Sequence, residues 1–73
     1  MSNERQNQLF AGIDKYTMRR GKLICSIYSD TTTGEVTIEG PFGTMRGGYK
    51  TPQEAIQYAC ARGYVYEDFA VIR

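Results

Sequence analysis

The stretch from Lys50 to Tyr64, KTPQEAIQYACARGY, constrains this chain more than any other. Thr51 is a capping residue, Pro52 suits the first helical position, and Glu54 stands three residues after the cap, the spacing of a capping box. Gly63 supplies a stop. Between these signals Ala55, Ile56, Ala59 and Cys60 fall at i, i+1, i+4 and i+5. That spacing predicts a helix over about 52–62 with one apolar stripe facing a core.

The remaining segments read as strands that need this stripe to close a core. Asp14 to Met18 alternates weakly, and Arg20-Gly21 turns the chain into Lys22 to Ser29, KLICSIYS. There Leu23, Cys25 and Ile27 share one face, and Ile24, Ser26 and Tyr28 the other, so the strand is expected to be central and covered on both sides. Asp30 to Glu35, DTTTGE, is a turn whose Asp and Thr side chains bond the local backbone and whose Gly34 takes a left-handed position. Glu35 to Glu39 alternates with Val36 and Ile38 inward. After the Gly40-Pro41-Phe42-Gly43 turn, Thr44 to Tyr49 adds a strand that Gly47-Gly48 interrupts. Beyond Gly63, YVYEDFAVIR is a last strand with Val65, Phe69 and Val71 inward and a bulge or bend at Glu67-Asp68.

The expected fold is thus α+β in two layers: an antiparallel meander sheet of three to four strands, one helix, and a C-terminal strand. Residues 13–73 form the domain. Residues 1–12 are an N-terminal arm, either flexible or a short helix carrying Leu9, Phe10 and Ile13.

A chain of 73 residues builds one small core, and a core of that size yields no more than about 5 kcal/mol of net stability. Natural domains of this size add a staple or a second subunit. His is absent, and 2 cysteines alone cannot complete a tetrahedral zinc site, so no metal or other cofactor is expected. Cys25 and Cys60 read as reduced, buried thiols serving as small apolar residues. A homodimer is the expected extra support. No apolar run is long enough to span a bilayer, and MSNERQNQ lacks the apolar centre of a signal peptide, which points to the cytoplasm and to no membrane partner.

Catalytic chemistry finds little purchase. Without His the commonest general base near neutral pH is missing, the cysteines have no partner base, and Glu67 and Asp68 are sequence neighbours rather than a facing pair. The run from Gly43 to Thr51 has two glycines at P-loop spacing, but Tyr49 separates Gly48 from Lys50, so the ammonium and the backbone amides do not converge on a phosphate. The sequence therefore reads as a binding module, not an enzyme.

Two partners compete. Lys15, Arg19, Arg20 and Lys22 form a basic cluster uninterrupted by acids, to which Arg46 and Lys50 add if their strand lies on the same side. With Tyr16, Phe42 and Tyr49 as stacking rings, these residues make a nucleic-acid surface built on a basic hairpin turn. The alternative is a protein-binding accessory or inhibitor protein of the kind found in phages and mobile elements, docking through Tyr64, Tyr66, Glu67 and Asp68.

Overall fold

The computed structural model describes residues 12–46 and 48–72, with Arg46 described by its backbone alone. The arm expected over 1–12 lies outside the described residues except for Gly12. Among the described residues six elements follow in order: β1 (Ile13–Arg20), β2 (Leu23–Asp30), β3 (Val36–Gly40), β4 (Gly43–Arg46), α1 (Pro52–Ala61) and β5 (Val65–Ile72). The strands form one antiparallel sheet in the order β4-β3-β2-β1-β5. The α+β meander, helix and final strand are as the sequence predicts, and the last strand brings the sheet to five by adding to the free side of β1.

Local chemistry explains each corner. Gly21 has φ 62° and, among the described residues, no non-glycine residue has a positive φ, so the two-residue loop between the paired Arg20 and Leu23 has its left-handed residue first, as in a type II′ turn. At the far end Asp30 Oδ1 accepts from the amides of Thr32 at 2.8 Å and Thr33 at 3.1 Å. Helix α1 starts at Thr51, whose hydroxyl accepts from the Glu54 amide, while Glu54 Oε1 accepts from the Lys50 amide at 2.9 Å. The acid thus reaches one residue further back than in the usual capping box. It ends in a Schellman motif: Gly63 N–H donates to the Cys60 carbonyl and Tyr64 N–H to the Ala59 carbonyl, both at 3.0 Å. Gly63 has φ 92°, a conformation that costs an L-residue with a side chain about 1–2 kcal/mol.

The core lies between α1 and one face of the sheet. Met18, Cys25, Ile27, Val36 and Ile38 are fully buried there beneath Ala55 and Ala59, with Tyr64 closing the end. Register puts these strand residues on a common face: Met18 opposite Cys25, Tyr16 opposite Ile27, and Ile27 opposite Ile38. The helix points its two alanines at the sheet, which lets its axis approach closely. Beside them Ile56 is half-buried and packs against the core, whereas Cys60 is exposed rather than facing it.

The placement of α1 corrects three further expectations. β2 is central but covered on one side only; among the described residues no element covers the face carrying Ile24 and Tyr28. Leu23 shares the covered face but lies at its margin, and is exposed. Val65, Phe69 and Val71 do not point into a core, because every residue of β5 is exposed. The bulge at Glu67-Asp68 is present: Thr17 pairs with Asp68 and Met18 with Tyr66, leaving Glu67 unmatched.

Two outcomes test this packing. Gly63→Ala should destabilise the domain by about 1–2 kcal/mol in urea unfolding, because the C-cap φ is then strained. In a native thiol assay Cys60 should react at once. Cys25, buried and with its thiol pKa raised by desolvation, should react only on unfolding. Rapid reaction of both thiols would contradict the burial of Cys25.

Candidate functional site

The basic residues do not gather on one surface. Lys15 and Arg19 project from the open face of β1, on the opposite side from Met18. Lys15 is half-buried with its ammonium 5.8 Å from the centre of the Tyr28 ring. Arg19 is paired with Glu67: its Nε and Nη2 both donate to that carboxylate. Arg20 lies on the other face, with its aliphatic stem against Gly63, and Lys22 is exposed in the hairpin loop. Arg46 pairs with Thr37 on β3, three strands from β1, or about 14 Å at ordinary strand spacing. Lys50 follows it at the start of α1, its amide bonded to Glu54. The structure therefore brings together Arg20 and Lys22 at the hairpin tip, and separates them from Arg46 and Lys50.

The rings proposed for stacking already have partners. Phe42 meets Tyr58 and Tyr64 edge-on, at centroid distances of 5.7 and 6.2 Å. Tyr49 packs on Tyr58 at 5.8 Å, and the Arg62 guanidinium lies 3.8 Å from the centre of that same Tyr58 ring. These contacts pin the β3–β4 turn and the chain before α1 onto the helix. Desolvation, with Tyr58 nearby, raises the Tyr49 phenol pKa. Tyr16 packs on Phe69 with centroids 5.0 Å apart, and burial followed by Asp14 and Tyr66 raises its pKa.

The other candidate surface is continuous. Tyr64 is not part of it, being buried in the core. Tyr66, Glu67 and Asp68 lie on β5, whose second edge has no strand beside it among the described residues. Val65 and Tyr66 are 63% and 54% exposed, and Phe69, Val71 and Ile72 are more than 40% exposed. Pairing with β1 sets the faces: Tyr66, Phe69 and Val71 stand with Met18, Tyr16 and Asp14 on the helix side, while Val65, Asp68, Ala70 and Ile72 stand with Arg19, Thr17, Lys15 and Ile13 on the open side. An edge strand apolar on both faces is the arrangement folded proteins usually blunt. Val65, Phe69, Val71 and Ile72 were missed as surface residues because alternation assigns a face but not its cover.

Among the described residues no pocket is present, no group of His, Cys, Asp or Glu is placed to hold a metal ion, and no helix is long and apolar enough to cross a membrane. Among the described residues, the one ion pair built into β5 is Arg19–Glu67. Hydrogen bonding from Arg19 holds the Glu67 carboxyl below its ordinary pKa. A depressed carboxylate favours the folded state above its unfolded pKa, and that contribution is lost as pH falls through the lower, folded value. A titration followed by NMR should find Glu67 below the usual glutamate range, and Arg19→Ala should return it there. No change on removing Arg19 would contradict the pairing.

Comparison with protein-family models, with curated proteins and with solved structures finds no match to this chain.

Proposed function

We propose that this domain is a non-catalytic protein-binding module that docks through the edge of β5. The observation that carries the reading is an eight-residue, largely apolar strand at a sheet edge, with every residue exposed to solvent on one face or the other. Unpaired backbone amides and carbonyls along such an edge bond an added strand, and side chains on both faces then select it. The bulge at Glu67 and the Arg19 contact leave Asp68 as the strand's only acid without a described salt bridge. The hairpin tip with Arg20 and Lys22 offers a nucleic acid fewer converging charges than its sequence suggests, since Arg19 is neutralised and Arg46 and Lys50 sit elsewhere.

Substitution separates the two readings. Immobilised wild-type domain should retain a protein, a second copy of the chain included, after nuclease treatment, and Val65→Lys with Ile72→Lys should abolish that retention. Both positions are exposed, so the variant keeps its core. Salt-sensitive retention on a polyanion column, lost on Arg20→Ala with Lys22→Ala and untouched by the β5 substitutions, would overturn protein docking in favour of nucleic acid.

A further inference from the structure

Resting on that reading, we infer that the strand docking on β5 is β5 of a second copy, giving a twofold-symmetric dimer with one sheet running through both domains. In an antiparallel pairing about a twofold axis perpendicular to the sheet, side chains keep their faces, so helix-side residues meet helix-side residues. One register satisfies this along the whole strand. Phe69 lies on the axis and meets Phe69 of the second copy. Asp68 meets Ala70, Tyr66 meets Val71 and Val65 meets Ile72, with Glu67 skipped as it is already skipped in the pairing with β1. All five exposed large apolar residues of β5 then have an apolar partner on their own face.

Charge fits the same register. Asp68 lies beside Ala70 of the second copy, and beyond that alanine is Lys15, which pairs with Ala70 in β1. Two strand spacings, about 10 Å between α-carbons, separate Asp68 from that lysine; its ammonium, which lies over the Tyr28 ring on β2 in the single chain, swings across the intervening alanine to meet Asp68 in the dimer. Symmetry forms the contact twice. Glu67 is neutralised by Arg19 of its own chain, so the acids of β5 do not repel across the seam. On the helix side the row becomes Tyr16, Phe69, Phe69 and Tyr16, extending a ring contact that each domain already contains.

Sedimentation equilibrium and cysteine cross-linking of the full chain test the proposal. Wild type should sediment at twice the chain mass, and Val65→Lys with Ile72→Lys should weaken association at least about tenfold, because each seam end then sets two ammonium groups directly opposite each other. In a Cys60→Ser background, Phe69→Cys should cross-link to itself on mild oxidation. Val65→Cys, whose counterpart is Ile72, should not, while Val65→Cys with Ile72→Cys should. A monomer at millimolar concentration would overturn the dimer, as would Val65→Cys cross-linking as readily as Phe69→Cys. If the chain is monomeric yet another protein is retained and lost with the lysine variant, the second-copy inference falls and edge docking stands.

Discussion

The contact between Ala55 and Ala59 and the buried strip of β2 and β3 governs this structure. A ten-residue helix is about 15 Å long, whereas five strands span about 19 Å across and eight-residue strands about 27 Å along. The helix cannot roof such a sheet. It sits over Cys25, Ile27, Val36 and Ile38, reaches Met18, and leaves the β1–β5 side uncovered among the described residues. Large residues at 55 and 59 would lift the axis, and the aromatic clasp of Phe42, Tyr49, Tyr58 and Tyr64 would lose its register on the sheet.

Exposure of β5 is therefore a consequence of helix length and position, not an accident of one side chain. The strand is held from one side by β1 and tied back by Arg19 to Glu67 at the bulge. A bulge and a charge are common guards on sheet edges. Here the charge is spent within the chain, and the bulge recurs in the same place if a second β5 is laid alongside. A small core that yields only a few kcal/mol gains more from extending its sheet than from any exposed ion pair.

Signals that act over a few residues were readable in advance. Thr51, Glu54 and Gly63 define a helix by capping chemistry alone, and Gly21, Asp30 and Gly34 mark turns by the backbone shapes they permit. The break at Glu67-Asp68 was legible because two acids interrupt an otherwise apolar alternation. What sequence could not supply was which face is roofed. Val65, Phe69 and Val71 alternate as core residues do, but the bulge turns Val65 to the open face, and the helix just before β5 sits too far across the sheet to cover Phe69 and Val71. Cys60 is left exposed for a related reason: close approach of the helix to the sheet centres the buried stripe on Ala55 and Ala59, with Ile56 packing at its flank. The basic cluster looked continuous because hairpin neighbours in sequence alternate between faces in space.

Amide hydrogen exchange measured across a range of protein concentrations tests the central claim most directly. If α1 protects β2 and β3 and leaves an unpaired β5 edge that a second copy covers, Cys25, Ile27 and Ile38 exchange slowly at every concentration, while β5 amides pointing away from β1 exchange fast when dilute and slow as concentration rises. Protection of those β5 amides equal to that of β2 at the lowest concentration, or fast exchange of Ile27 and Ile38, would contradict the account.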